Sequence, residues 1–128
     1  MDTVAQVEAL YAAYDARDWA RAAGYLHPDA VLEMPATGER LDGRDGIIDF
    51  QRVYPEPWGV LTVRRAMGGP ADAAAEIEIV DPQGRRFAMA AFWRQRDGLL
   101  HEGVEYWVTV GGDAPPPGRP TAFPEPPG

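Results

Sequence analysis

Glu105 is the residue of this sequence best suited by its surroundings to move a proton. It stands between Val104 and Tyr106 in the segment EGVEYWV, residues 102–108, which otherwise has the composition of a buried strand. A carboxyl group removed from water holds its proton to a higher pH, which suits acid-base catalysis near neutrality. Strand periodicity also allows Glu105 to face water on a half-exposed strand, so the two placements remain alternatives.

A second pair of acids lies in the segment AEIEIV. The two-residue period of a strand puts Glu76 and Glu78 on one face and Ile77 and Ile79 on the other. Either the isoleucines face the core, or they form a subunit interface and the acids point inward. If Glu76 shared an apolar pocket with Glu105, repulsion and desolvation would raise at least one pKa, so that one acid could serve as base and the other as proton donor.

Other kinds of chemistry have little support in the sequence. The formal net charge of −8 argues against a nucleic-acid partner, and the absence of cysteine excludes disulfides and a thiol nucleophile. His27 is expected in a loop and His101 at a solvated strand edge, and neither has a metal-ligand spacing. We therefore expect no metal and no cofactor. No segment has the pattern of a signal peptide or a membrane span, which predicts a cytoplasmic protein without a membrane partner.

The first half of the chain supplies helices that would cover these acids. The pattern predicts helices over residues 3–16, 19–26 and 43–54. Thr3 and Gln6 have the spacing of a capping box at the start of the first helix, and Tyr11 and Tyr14 lie on its inward side. In this position Tyr11 could donate a hydrogen bond to a developing oxyanion.

The second half predicts strands joined by short turns such as DPQG and RDG. Helices followed by an antiparallel sheet indicate an α+β fold with the helices on one face of the sheet. We predict one domain over residues 1–112 and a proline-rich tail over residues 113–128. The tail is either loosely draped or an arm that packs Phe123 against its own domain or a partner subunit.

Four segments together resemble the nuclear-transport-factor-two-like superfamily, within it the SnoaL-like polyketide-cyclase and ketosteroid-isomerase-like branch. They are LYAAYDARDW, LHPDAVLEMP, GRDGI and DGLLHEGVEYWV, and they span residues 3–110 in the family's order. The resemblance implies a cone-shaped roll in which a strongly curved, mainly antiparallel sheet wraps three helices and encloses an apolar pocket. It also implies homodimers formed through the outer face of the sheet.

The resemblance to ketosteroid isomerase is incomplete at the positions that carry its chemistry. Met34 stands where that enzyme has its general base, and Ala91 stands where it has an acidic hydrogen-bond donor. Its tyrosine corresponds to Tyr11. Because a thioether cannot accept a proton, we do not expect steroid isomerisation by that mechanism.

The last strand is similar to that of limonene epoxide hydrolase, whose catalytic acid corresponds to Glu105 and whose pocket aromatic corresponds to Trp107. The similarity implies that Gly103, Glu105 and Trp107 point into the cone. Glu76 and Glu78 would be the counterparts of that enzyme's second acid, but its arginine is missing here.

These expectations define a site and two alternative functions. The expected catalytic residues are Glu105, Glu76 and Tyr11, and the expected ligand-binding residues are Tyr14, Leu32, Met34, Phe87, Met89, Ala91 and Trp107. One function is cofactor-independent acid-base chemistry on a small apolar or polyketide-like molecule, such as cyclisation, isomerisation, dehydration or hydrolysis. The other is a non-catalytic ligand-binding or dimerisation module.

Overall fold

The computed structural model describes residues 1–54 and 58–119, and this part of the chain contains three helices and six strands. In chain order they are α1 (Thr3–Asp15), α2 (Trp19–Ala23), β1 (Leu26–Met34), β2 (Glu39–Asp42), α3 (Arg44–Arg52), β3 (Val60–Gly68), β4 (Asp72–Val80), β5 (Arg86–Arg96) and β6 (Leu99–Thr109). Helices therefore precede most of the sheet. The predicted α+β fold is confirmed.

The six strands form one mixed sheet in the order β2-β1-β6-β5-β4-β3. All neighbouring strands are antiparallel except β1 and β6, which run parallel and join the first part of the chain to its last strand. The sheet is curved and open, and α1 packs against β3, β4, β5 and β6. This arrangement places the inward side chains of β6 beneath α1.

The start of α1 differs from the predicted capping box. Asp2 is the N-cap, and its carboxylate accepts a hydrogen bond of 2.8 Å from the backbone N–H of Ala5. Thr3 is the first helical residue, and its hydroxyl donates to the carbonyl of Pro70 instead. The side-chain amide of Gln6 donates to the β5–β6 turn. Both polar residues therefore tie the helix to distant loops rather than cap it.

The inward face of α1 supplies much of the core. Val7, Leu10, Tyr11 and Tyr14 are almost completely buried, as the helical spacing predicted for the two tyrosines. Burial of a valine or leucine side chain of this kind stabilises the fold by roughly 1.5–3 kcal/mol.

The other two helices are shorter than predicted. Asp18 caps α2 by accepting a hydrogen bond from the backbone N–H of Arg21, as expected, but α2 ends at Ala23 because β1 begins at Leu26. The third helix ends at Arg52.

Two further expectations concern membrane-spanning helices and the proline-rich tail. In the part of the chain that the structure describes, no helix is both long and apolar enough to cross a membrane. Residues 113–119 of the predicted tail are exposed and form neither helix nor strand. Residues 120–128, with Phe123, lie outside the described residues.

Candidate functional site

Glu105 lies on the inward face of β6, and its side chain is buried with 2% of its surface exposed. Its partner across the β5–β6 ladder is Ala91, whose own partner on β4 is Ala75. Both alanines are buried and small, so the acid has only small side chains beside it toward β5 and β4. Of the two placements open to the sequence, the structure has the buried one.

Two residues hold the carboxylate through a chain of hydrogen bonds. The indole Nε1 of Trp93 donates to the hydroxyl oxygen of Tyr11 at 2.9 Å. With Glu105 ionised, the Tyr11 hydroxyl in turn donates to Glu105 Oε2 at 2.7 Å. Since the tyrosine oxygen already accepts from Trp93, its single proton is directed toward the carboxylate. The first helix and strands β5 and β6 thus each contribute one member of the chain.

The surroundings of Glu105 change its acidity. Burial raises the pKa of Glu105 to about 7, and the hydrogen bond from Tyr11 acts in the opposite direction. Burial, followed by the charge of Glu105, raises the pKa of Tyr11 and of Tyr14 well above the usual value for tyrosine. The carboxyl group therefore changes protonation near neutral pH, while both tyrosines keep their protons.

Tyr14 provides a second hydroxyl beside this cluster. Its ring meets that of Tyr11 edge to face, with the ring centroids 5.6 Å apart. Its hydroxyl is buried and has no hydrogen-bond partner among the described residues. A buried polar group without a partner is costly, and it often marks a place where a ligand or water binds. Tyr11 is committed to Glu105, so Tyr14 is the donor still available to another group.

A cavity of about 360 Å³ opens near this cluster. It is lined by Met34, Ala36, Thr37, Glu39, Phe50, Tyr54, Trp58, Ile79, Asp81, Arg85, Phe87, Trp107, Val108 and Thr109. Met34, Phe87 and Trp107 were predicted as lining residues. Trp107 is the next inward residue of β6 after Glu105, which separates their Cα atoms by roughly 7 Å. Glu105 itself lies beneath the wall of the cavity rather than on it.

The other predicted ligand-binding residues are not at the cavity. Tyr14, Leu32, Met89 and Ala91 are buried in the core and do not line it, and the same holds for Tyr11. The reason is packing: the side chains of α1 fill the space against the sheet, so the open volume lies closer to the ends of β1 and β6 than the sequence indicated.

Glu76 does not join Glu105, and its expected place in the site is wrong. Its side chain is 54% exposed and lies 3.6 Å from Arg65, while Glu78 lies 3.4 Å from Arg64. Burial of the isoleucines that alternate with them fixes the register of β4, so both acids point to the outer face. The pairing of two carboxylates is therefore absent from this site.

Three aromatic residues of the cavity were missed as ligand-binding residues. Phe50, Tyr54 and Trp58 follow one another at intervals of four residues, a spacing that the sequence does display. The rings of Phe50 and Tyr54 meet edge to face at 5.5 Å, and those of Tyr54 and Trp58 stack at 6.4 Å with 20° between their planes. Because α3 ends at Arg52, helical periodicity alone did not place the last two.

Arg17 fixes the position of Trp58. Its guanidinium carbon lies 4.8 Å from the centre of the indole ring, a cation–π contact. The same group donates to the carbonyls of Gly59 at 2.7 Å and Tyr14 at 3.1 Å. The turn that follows α1 thereby holds one wall of the cavity in place.

Potential metal ligands are few near the site. Within residues 1–54 and 58–119, no three His, Asp or Glu side chains are grouped closely enough to hold an ion. His27 lies in β1 rather than in the predicted loop, with its ring 5.0 Å from that of His101 and its Nε2 3.6 Å from Asp97. These residues lie outside the cavity wall.

Comparison with known proteins supplies a family and several structural relatives. Residues 7–103 match the family model of the SnoaL-like domain. A proposed ketosteroid isomerase from Kribbella flavida DSM 17836 has a TM-score of 0.85 at 28% identity, with 94% of this chain and 89% of that chain covered. No curated protein matches the chain.

Two further solved structures show the same fold at lower identity. An NTF2-like protein of unknown function from Burkholderia xenovorans LB400 has a TM-score of 0.76 at 23% identity, covering 87% of this chain and 85% of its own. An LEH-like epoxide hydrolase from M. tuberculosis has a TM-score of 0.70 at 18% identity, covering 82% of this chain and 81% of its own. Likeness at these identities concerns the fold alone.

Proposed function

The chain belongs to the SnoaL-like domain family, and from this premise we propose that it binds a small apolar or polyketide-like molecule in its aromatic cavity and transforms it by acid-base chemistry at Glu105. The observation that carries the proposal is the buried carboxylate of Glu105, which accepts a hydrogen bond from Tyr11. The next inward residue along β6 is Trp107, which lines the cavity.

The cavity supports the binding part of the proposal. Its volume of about 360 Å³ lies within the range of small-molecule sites in proteins. Five aromatic rings and a methionine give it apolar walls, and its polar side chains lie among the residues next to turns. A compact ring-containing molecule would bury apolar surface there and gain affinity from doing so.

The protonation state of Glu105 supports the catalytic part. A general base is most effective when its pKa lies near the working pH, and that of Glu105 is about 7. In the proposed step, the carboxylate takes a proton from a carbon next to a carbonyl group, and the electron pair moves onto the carbonyl oxygen. The hydroxyl of Tyr14, which has no partner among the described residues, donates a hydrogen bond to that oxygen, and Glu105 returns the proton to another atom of the substrate. The substrate must reach past the cavity wall for this step, since Glu105 and Tyr14 lie behind it.

Two more specific activities of relatives are poorly supported for this chain. For ketosteroid isomerisation the chain lacks both acidic residues of that enzyme, because Met34 and Ala91 occupy the corresponding positions. For epoxide hydrolysis by a pair of acids the site lacks the second acid, because Glu76 faces outward. A single acid with tyrosine hydroxyls better fits cyclisation, isomerisation or dehydration of a carbonyl compound.

A non-catalytic binding module is the alternative, and one observation favours it. Glu105 does not line the cavity, so a ligand that fills the cavity need not touch it. In that case the Trp93–Tyr11–Glu105 chain would be a buried polar network that specifies the packing of α1 on the sheet.

Proton exchange distinguishes the two functions without knowledge of the substrate. Small cyclic ketones are incubated with the protein in deuterated water, and loss of the α-hydrogen signal is followed by NMR. We expect exchange that Glu105→Gln slows roughly a hundredfold and that the matched variant of an exposed acid on the same strand, Glu102→Gln, leaves unchanged. Binding of the ketones without any exchange would support the module and contradict the enzyme.

We also propose a homodimer formed through the outer face of the sheet. Phe92 and Tyr106 project from that face with about half of their surfaces exposed, and their rings meet edge to face at 6.0 Å. Val108, which also lines the rim of the cavity, is 61% exposed. Apolar side chains grouped in this way on a soluble domain favour burial against a second protein surface.

A further inference from the structure

Arg85 is the one cationic side chain among the described residues that line the cavity. It ends the turn between β4 and β5, just before the first residue of β5, and 59% of its side chain is exposed. Its guanidinium group brings a positive charge to a cavity whose walls are otherwise largely apolar. Its contacts show how it is held and which of its donors remain free.

Asp81 fixes the orientation of the Arg85 guanidinium group. Its side chain is 3% exposed, and its Oδ2 accepts a hydrogen bond of 2.6 Å from Arg85 Nε. Its Oδ1 accepts from the backbone N–H groups of Gln83 at 3.0 Å and Arg85 at 2.8 Å. Both oxygens of the buried acid are therefore occupied within the turn, and the arginine is held by its inner nitrogen.

The outer nitrogens of Arg85 keep most of their hydrogen-bonding capacity. Nη2 lies 3.5 Å from Gln83 Oε1, which is the outer limit of a hydrogen bond. Nη1 has no acceptor among the residues that the structure describes. A guanidinium group held in this manner presents parallel N–H donors, an arrangement that matches the two oxygens of a carboxylate.

The remaining charges of the cavity do not offer an equally prepared partner for a cation. Glu39 is exposed, and its carboxylate already accepts a hydrogen bond of 2.6 Å from the hydroxyl of Thr37. Aromatic faces do attract ammonium groups, but Asp81, the other acid that lines the cavity, already has both oxygens occupied by the turn and by Arg85. An anion with an apolar body therefore satisfies more of the groups that line this cavity.

We propose that the cavity takes a planar, apolar carboxylate, with its ring system against the aromatic wall and its carboxylate on the outer nitrogens of Arg85. The inference rests on the proposed function, because it names the class of molecule that the same cavity binds. It assigns to Arg85 the role of a specificity-determining residue, with Asp81 as the residue that positions it.

Three probes with one ring system and different charges test the inference. They are 2-naphthoate, 2-naphthalenemethanol and 2-naphthylmethylammonium, and their dissociation constants are measured by isothermal titration calorimetry. Indole N–H resonances of Trp58 and Trp107 report whether each probe enters the cavity, since both residues line it. The pH is kept below the pKa of Glu105, so that a charge on this residue does not oppose the anion.

We expect 2-naphthoate to bind about tenfold more tightly than the alcohol, and the ammonium compound to bind most weakly. Arg85→Gln should remove this preference while changing the affinity for the alcohol less than about twofold. The matched control is Arg86→Gln, which changes an arginine that does not line the cavity and should leave all three affinities unaltered. Arg85→Lys keeps the charge but replaces the planar pair of donors by one ammonium group, so it should give an intermediate preference and serves if Arg85→Gln fails to fold.

The outcomes separate the inference from the function on which it rests. Equal binding of the three probes, or a preference for naphthoate that survives in Arg85→Gln, would overturn the role of Arg85 while leaving the binding cavity intact. Preference for the ammonium compound would replace the anion by a cation held on the aromatic wall. Absence of binding by all three, with unshifted Trp58 and Trp107 resonances, would overturn the proposed binding function together with the inference.

Discussion

The hydroxyl of Tyr11 lies 2.7 Å from Glu105 Oε2, whereas the hydroxyl of Tyr14, one turn later on the same buried helix face, has no partner among the described residues. The two tyrosines have nearly the same burial and differ in this contact. Replacing each tyrosine by phenylalanine keeps the ring and removes the hydroxyl group. The difference between the two variants therefore measures what the Tyr11–Glu105 hydrogen bond contributes to stability.

We predict that Tyr11→Phe lowers the free energy of unfolding by about 1–3 kcal/mol, because Trp93 Nε1 and Glu105 Oε2 lose their partner in a buried place. Tyr14→Phe, the matched control, should change it by less than about 0.5 kcal/mol, since no hydrogen bond is lost. Urea denaturation measures both values. Equal losses in the two variants would mean that the hydrogen-bond chain adds no stability of its own.

The raised pKa of Glu105 makes stability depend on pH in a defined direction. The folded value is about 7 and the ordinary value 4.5, so the folded protein binds more protons than the unfolded chain between these limits. The contribution is fully present below pH 4.5 and is lost as the pH rises through 7. Over the whole interval the loss amounts to roughly 3 kcal/mol.

A comparison with Glu105→Gln tests this dependence, because glutamine does not titrate. We expect the difference in unfolding free energy between the wild type and the variant to fall as the pH is raised through this interval, and carboxyl-carbon NMR to show a midpoint near 7 for Glu105. A midpoint near the ordinary value, with a difference independent of pH, would contradict the buried state of this acid and with it the proposed base.

The sequence predicted the surroundings of Glu105 better than it predicted the cavity. The two-residue period of β6 and the alternation of acids and isoleucines in β4 are local patterns, and a strand that is half buried must obey them. The rule correctly groups Glu105 with Trp107 on one face of β6, and Glu76 with Glu78 on one face of β4, but it does not say which face of β4 is inward, and the expected place of Glu76 in the site was wrong. The inward alternative for Glu76 required a different burial of Ile77 and Ile79, which only the packing of α1 against the sheet decides.

The position of the open volume depended on contacts between distant parts of the chain. Whether Tyr11 and Met89 line a cavity or fill a core depends on how closely α1 approaches the sheet. The periodicity of the sequence does not predict that distance. The parallel pairing of β1 with β6 joins segments some seventy residues apart and was likewise not evident. Trp58 contacts Arg17, which lies in the turn between α1 and α2, and this interaction between two loops has no local signal in the sequence.

The proposed homodimer predicts a mass in solution of twice the chain's 14.0 kDa. Tyr106→Lys places a charge at the middle of the outer face, where burial without a partner is unfavourable, and should give monomers. The control is Val53→Lys, which replaces an exposed apolar residue after α3, away from this face, and should remain dimeric. Light scattering reports both masses. A wild type that is monomeric at micromolar concentration would refute this interface.

Gly103 is required by the position of the Trp93 ring. A methyl group added at Gly103 would lie 2.6 Å from atoms of the indole, a distance at which the ring or the strand must move. We predict that Gly103→Ala lowers the free energy of unfolding by about 1–3 kcal/mol through overpacking. The displaced indole would also lose its hydrogen bond to Tyr11, which should shift the Trp93 indole N–H resonance.

Gly46→Ala is the matched control for this substitution. Gly46 lies within α3, and a methyl group added there meets no atom within 4 Å. Alanine favours a helix over glycine, so this variant should be more stable than the wild type by roughly 0.5–1 kcal/mol. If Gly103→Ala were as stable as the wild type with an unshifted indole resonance, the close contact of Trp93 with β6 would be wrong. The explanation for the direction of the Tyr11 proton would then lose its support, because that direction depends on the indole donor of Trp93 on β5.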